Sequence, residues 1–475
     1  MLTDDCPNIL LIMTDQQRGD ALGADGHPVL QTPNLDGLAN AGSRFARAYS
    51  TCPSCVPARR ALLCGQHPAT NGMVGMRTGV DWHPDHTLPG ELTRAGYQTH
   101  LVGRHMHQHP MRKRFGYESV NLGSTHLYGD DYAHYIERQT PELDGFRSHG
   151  LSFNGWTARP WSRPEHEHPV NWTVNEALRF LAMRDPTCPF FLTVSFYAPH
   201  PPLCPPPFFM ERYLRQDMPE PTIGDWCAAP NHPAADVDAA RDVVLTGERL
   251  RTAQAGYFGS IDHVDNQIYR LLSVRGEAGY DVRNTVVIFI SDHGEMLGDH
   301  YMFRKCEPYE GSARVPMIIA GGADTGLKGG QVLDGPVCLE DVMPTCLELA
   351  GVEIPEGVDG KSLVGALRGE GGRVREVLHG EHATQYSREQ ANHYLTDGRW
   401  KYIWRPLTGE EQLFDLEADP HESVDLAAGA EAEARVQPWR ERLVERLRDR
   451  PEGFVEGGRL RVVEECPKVL PHGRG

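Results

Sequence analysis

Cys55 stands in TCPSCVPARRALLCG, directly before a run that predicts a helix from about Val56 to Leu63 with Gly65 behind it. At such a position the free N–H groups and the positive end of the helix dipole stabilise a thiolate or a bound anion. Four readings are open. Cys52-Pro53-Ser54-Cys55 has the Cys-x-x-Cys spacing of a redox dithiol, although no thioredoxin-like βαβ unit surrounds it. Cys52, Cys55, Cys64 and His67 form a conceivable zinc set, at a spacing unlike the common structural sites. The third uses Cys55-Val56-Pro57-Ala58-Arg59 as a Cys-x-Pro-x-Arg element, and the fourth is an inert, buried cysteine.

The other chemistry-bearing residues follow short apolar runs of strand length. Asn8–Met13 leads into Thr14 and Asp15, and Tyr97–Val102 into Gly103, Arg104, His105 and His107. Phe190–Tyr197 leads into His200, and Thr285–Ile290 into Asp292 and His293. Strands alternating with helices argue for an α/β fold with a largely parallel sheet, and such sheets place their sites at the carboxyl edge, where these residues would converge. Thr32 with Pro33 starts a helix that runs to Gly42, and Asp341–Leu349 forms another, closed by Gly351. Residues 140–170 and 200–245, rich in Pro, His, Trp and charge, read as long surface loops, and Glu165 to His168 (EHEH) as an exposed stretch of loop. From Val377 the texture changes: WKYIWRPLTGEEQLFDL predicts an antiparallel hairpin in a smaller domain, with Trp400, Tyr402 and Trp404 on one core-facing side. A charged helix over Glu431–Arg450 and an extended tail follow.

Composition bounds the partners. Hydrophobic residues make up 40% of 475, enough for a large core, and 49 Gly with 36 Pro suit a loop-rich enzyme. The net charge of −18 disfavours nucleic acid, so an anionic substrate needs a local cluster of Arg, Lys, His and metal to draw it in. The acidic start MLTDDCPNILLIM lacks the basic flank and long apolar run of an export signal or membrane span, and the eleven scattered cysteines fit reduced thiols; a cytoplasmic protein is expected.

The Cys-x-Pro-x-Arg element followed by Leu62, Leu63 and Gly65, together with NILLIMTD, resembles the type I sulfatases of the alkaline phosphatase superfamily. The likeness continues through TLPGELTRAGYQTHLVG, Pro199-His200, SDHGEMLGDH, KCEPYEGSARVP and the C-terminal EEQLFDLEADPHESVDLA, in order along most of the chain. It implies an alkaline phosphatase-like α/β fold, with a large mostly parallel sheet flanked by helices in a catalytic domain over 1–376. A C-terminal subdomain with an antiparallel sheet and a tail would occupy 377–475. It also implies that a formylglycine-generating enzyme oxidises Cys55 to formylglycine. One hydroxyl of the hydrated aldehyde would attack the sulfur of a sulfate monoester, and deprotonation of the other would later expel sulfate.

By the same resemblance, Asp15, Gln16, Cys55, Asp292 and His293 hold a divalent metal; hard oxygen ligands favour calcium, magnesium or manganese over zinc, and the resemblance implies calcium first. Arg59 holds the diol, His107 is the base, and His200 and Lys305 assist the departing oxygen. The family's Gly-Lys-x-His reads here as Gly103-Arg104-His105-Met106-His107, so Arg104 or His105 takes the lysine's place. The expected substrate is a small aryl, choline-like or carbohydrate sulfate. The rival readings are a phosphonate monoester hydrolase or phosphodiesterase of the same superfamily and a binding protein that kept the fold without turnover. The tail suggests a homo-oligomer contact or a cover on the pocket rim.

Overall fold

The chain is described by a computed structural model covering residues 6–105, 109–123, 129–139, 141, 149–230, 241–274, 280–429 and 431–471. The run Ile9-Leu10-Leu11-Ile12-Met13 forms the middle of β1 (Asn8–Asp15), which is apolar throughout because both of its faces are covered. Ile9, Leu11 and Met13 pack with Leu62, Leu63, Leu88, Leu92 and Leu347 on one side. Leu10 and Ile12 pack with Leu35, Val174, Leu181, Val264 and Ile268 on the other.

The sheet is completed by β2 (Ser43–Phe45), β3 (Gln98–Gly103), β4 (Ser119–Leu122), β5 (Phe190–Pro199), β6 (Thr285–Ser291), β7 (Met317–Gly321) and β8 (Gln331–Leu333), in the order β4-β3-β5-β1-β6-β7-β2-β8. Its centre is parallel, as expected, and β7 runs antiparallel to both β6 and β2. Thr14 pairs with Ser291, Asp15 with Pro199 and Gly103 with Ser195, so β1, β3, β5 and β6 end level with one another. A second, four-stranded antiparallel sheet follows, β9 (Leu378–His382), β10 (Asn392–Thr396), β11 (Trp400–Trp404) and β12 (Glu411–Asp415), in sequence order. Trp400, Tyr402 and Trp404 face the helix Ala432–Leu447 through Val436, Trp439 and Leu443, the core role expected of them.

Two expectations change. The 200–245 stretch contains a helix, Pro207–Leu214, whose Phe209, Met210 and Tyr213 are buried, and residues 140–170 run into a helix at Pro169. Prolines that looked like loop punctuation stand here at helix starts, where no N–H is needed. Glu167 and His168 of the EHEH stretch are buried: Glu167 pairs with Arg163, and the His168 ring caps the next helix by accepting from the Val170 N–H. The tail docks on its own chain, with the Val74 N–H bonded to the Lys468 carbonyl, the Leu470 N–H to the Gly72 carbonyl, and Leu470 packed on Val74 and Ala383. Among the described residues no helix is long and apolar enough to cross a membrane.

Candidate functional site

The site is assembled by strand ends. β1 delivers Asp15 and Gln16, β5 delivers His200, and β6 delivers Asp292 and His293. β3 delivers Arg104 through Gly103, where φ is +99° and a Cβ would lie 2.0 Å from the Ser195 carbonyl oxygen, so only glycine lets the strands close up there. Cys55 is the first residue of the helix Cys55–Cys64, with Pro57 in its first turn and Gly65 closing it in the left-handed conformation. Gln16 itself sits at φ +73°, held there by its N–H on Asp292 Oδ1 (3.1 Å) and its carbonyl accepting from the Tyr257 hydroxyl (2.7 Å). Such strain is retained at sites where the surroundings over-determine it.

Arg59 organises the carboxylates. Its Nε donates to Asp292 Oδ2 (2.8 Å), Nη2 to Asp15 Oδ2 (3.1 Å), and Nη1 to the Arg104 carbonyl (2.7 Å) and Ser195 Oγ (2.8 Å). Arg104 Nε lies 2.9 Å from the same Asp15 Oδ2. The outer oxygens are thereby occupied by guanidinium, and the inner oxygens turn toward one another. His293 Nδ1 donates to the Gly294 carbonyl (3.0 Å), which leaves the lone pair on Nε2, 3.6 Å from both Asp15 Oδ1 and Asp292 Oδ1. Cys55 Sγ is 3.1 Å from that nitrogen and 3.7 Å from Asp15 Oδ1. These four atoms lie within 4.8 Å of one another, all fully buried. Two carboxylate oxygens and an imidazole nitrogen facing one another beside the Cys55 sulfur form a donor set that could hold a divalent cation.

Electrostatics follow from this packing. Burial by itself would raise Asp15, but Arg104, His200 and Arg59 hold it well below the usual carboxylate range. Burial and the neighbouring Asp15 charge push Asp292 up to about 7. Burial and Asp15 likewise push the Cys55 thiol up to about 12, against the lowering effect of Lys305, so desolvation outweighs the helix dipole that the sequence emphasised. Burial, then Lys305, keeps His293 neutral, well below its ordinary value.

The structure brings Asp15, Gln16, Cys55, Arg59, Arg104, His200, Asp292, His293 and Lys305 together; His107 lies outside the described residues. Arg104, rather than His105, occupies the charged position: His105 packs on Phe115 and Tyr117, and burial lowers it to about 3. The Gln16 amide oxygen accepts from Lys305 Nζ at 2.5 Å. His200 donates its backbone N–H to the Asp15 carbonyl (3.0 Å) and its Nδ1–H to the Pro201 carbonyl (2.7 Å). The zinc set does not form, since Cys64 donates to the Arg60 carbonyl and His67 pairs with Glu340. Cys52 and Cys55 are separate thiols, with Cys52 raised well above the usual range by burial.

Sequence reasoning missed three participants. Glu295 accepts the Gln16 amide N–H, Ser195 accepts from Arg59, and His382, at the end of β9, accepts the Ser54 hydroxyl at 2.8 Å beside Cys55. The acid two residues after His293 was the available signal for Glu295; for the other two, only the fold joins distant segments.

The family model Sulfatase matches residues 7–352, and the model N-sulphoglucosamine sulphohydrolase, C-terminal, matches 298–450. The chain is 39% identical to an arylsulfatase of Clostridium perfringens, covering 96% of this chain and 97% of that one. It is 30% identical to a choline-sulfatase of Rhizobium meliloti, covering 90% and 83%. In fold it resembles the phosphonate monoester hydrolase of Agrobacterium radiobacter, with a TM-score of 0.77 and 26% identity over 92% of this chain and 95% of that one.

Proposed function

The chain belongs to the sulfatase family and is a sulfuric ester hydrolase, and we propose that it cleaves a sulfate monoester, an aryl sulfate first, with residue 55 as nucleophile and a divalent cation beside it. The carrying observation is the cluster of acceptors at the start of the Cys55 helix, ringed by Arg59, Arg104 and Lys305. A cation seated among Asp15, Asp292 and His293, calcium as the family resemblance implies, would supply Lewis acidity toward a sulfate oxygen. Formylglycine at position 55, made by a maturation enzyme from the cysteine, supplies hydrated-aldehyde hydroxyls as nucleophile; a thiol pushed up to about 12 is a poor one.

The chain's own residues then divide the work. Arg59 fixes both aspartates and holds the nucleophile's surroundings positive, which offsets charge building on the sulfate. Arg104 adds a second guanidinium at Asp15. His200 is placed with its proton on Nδ1, and Lys305 presents an ammonium to the oxygen that leaves with the alcohol or phenol. The 39% identical arylsulfatase supports aryl sulfate, and the Rhizobium choline-sulfatase keeps choline-like esters in the panel. The Agrobacterium neighbour supports a second reading, phosphonate monoester hydrolysis by the same nucleophile. Catalytic efficiencies on matched aryl sulfate and aryl phosphonate monoesters test the choice: preference for the sulfate is expected, and a large preference for the phosphonate reverses it.

A further inference from the structure

Gln16, Glu295 and Lys305 form a chain of hydrogen bonds with a fixed polarity. Lys305 Nζ carries only donors, and an ionised Glu295 carries only acceptors. Gln16 lies between them, its Nε2 donating to Glu295 Oε2 and its Oε1 accepting from Lys305 Nζ at 2.5 Å. Turning the amide over would set oxygen against carboxylate and NH2 against ammonium, so the two ends dictate its orientation. Glu295 Oε1 is itself held by the backbone N–H groups of Leu297 (2.9 Å) and Arg304, the residue before Lys305. Gln16, Glu295 and Lys305 are all buried, which makes each of these contacts expensive to leave unmade. One carboxylate therefore secures Lys305 twice, through its loop and through the Gln16 amide oxygen.

We infer that Glu295 is a positioning residue for this hydrolase: by fixing the Gln16 amide it aims the Lys305 ammonium. The inference rests on the proposed role of Lys305 at the departing oxygen. A Glu295→Gln side chain keeps its oxygen on the Leu297 and Arg304 N–H groups and presents NH2 to Gln16, which turns the Gln16 amide and brings NH2 against the Lys305 ammonium. Misplacing Lys305 slows expulsion of a poor leaving group far more than of a good one, because a good one needs little help with its negative charge.

The test compares an aryl sulfate bearing nitro groups with an unactivated alkyl or phenyl sulfate, on full-length metal-loaded enzyme, with kcat normalised to the formylglycine content found by mass spectrometry. E295Q is expected to lower kcat on the unactivated ester roughly 10- to 100-fold, and on the activated ester only a few-fold. Exchanging the partners in Q16E/E295Q restores the polarity, because the carboxylate now at position 16 accepts both from the Lys305 ammonium and from the amide now at position 295. The double variant is expected to recover at least about tenfold of that loss. Equal losses of E295Q on both esters, or a double variant no better than E295Q, overturn the proposal. Should E295Q fail to fold, Gln16→Leu cuts the same chain and must show the same leaving-group dependence; equal losses there overturn it as well. Lys305→Met separates the two layers. If K305M discriminates between the esters and E295Q does not, the Glu295 assignment alone fails; if K305M affects both equally, the role of Lys305 fails and the assignment with it.

Discussion

Replacing Arg59 with lysine isolates the geometric part of the site from its charge. The guanidinium makes four hydrogen bonds of 2.7 to 3.1 Å, two of them to carboxylates, from a fully buried position. A lysine ammonium keeps the charge but is a single point on a flexible stem and cannot reach Asp15 Oδ2, Asp292 Oδ2, Ser195 Oγ and the Arg104 carbonyl together. At least one of these buried acceptors loses its Arg59 donor, at about 1.5 to 3 kcal/mol for a hydrogen bond to a charged group, and about 3 kcal/mol is the expected total. For a chain of 475 residues unfolding as a unit, roughly 1 kcal/mol corresponds to each degree of melting temperature. R59K is therefore expected to melt about 3 °C below the parent in chelator, by circular dichroism, with kcat/KM for an aryl sulfate down at least about 100-fold. A melting temperature within 1 °C of the parent in chelator would refute the account of Arg59 as the bridge between the two aspartates.

Other consequences are open to direct measurement. Gly103→Ala places a Cβ 2.0 Å from the Ser195 carbonyl at a φ of +99°, so it is expected to yield little soluble protein, or protein melting several degrees lower with Arg104 displaced and activity lost. Chelation is expected to abolish turnover and lower the melting temperature of the mature enzyme, with calcium restoring both, since a cation at 100 times its Kd adds about 2.7 kcal/mol; unchanged melting and activity in chelator count against the cation. Burial lowers His100 in the folded state to about 4, below its unfolded value, so the unfolded chain takes up that proton first. That site's contribution is intact above about pH 6.5 and falls by about 1.4 kcal/mol per pH unit down to about pH 4, a slope that His100→Asn removes from the pH dependence of stability. Truncation after Glu465 removes the Lys468–Gln385 bond and the buried Leu470, and is expected to lower melting by about 2 °C through about 1.5 to 3 kcal/mol of lost burial, while light scattering reports the same oligomeric state.

The four strands that carry the site were legible because each is a short apolar run ending in an ionisable residue, and burial on both faces writes that pattern directly. Arg104 and His105 could not be separated from the sequence: they are neighbours on one strand end, and the choice depends on Gly103 meeting Ser195 and on the aromatic pair Phe115 and Tyr117 behind the strand. The contact between Gln16 and Glu295 was not legible, because 279 positions separate the two in the sequence. The dipole at the Cys55 helix was read as activating a thiolate, yet full burial beside Asp15 raises the thiol. The helix at Pro207–Leu214 was hidden because its proline-rich approach reads as a loop when the receiving helix Gly247–Leu272 is not in view.

The central claim is that residue 55 works as formylglycine within a ring of cations, and the most direct measurement is the mass of the peptide containing it, from protein co-expressed with a formylglycine-generating enzyme, read together with aryl sulfate turnover. The expected result is the aldehyde or its hydrate at position 55, with turnover rising in proportion to the modified fraction. Full aryl sulfatase activity with Cys55 still a thiol, or retained in Cys55→Ala, would contradict it.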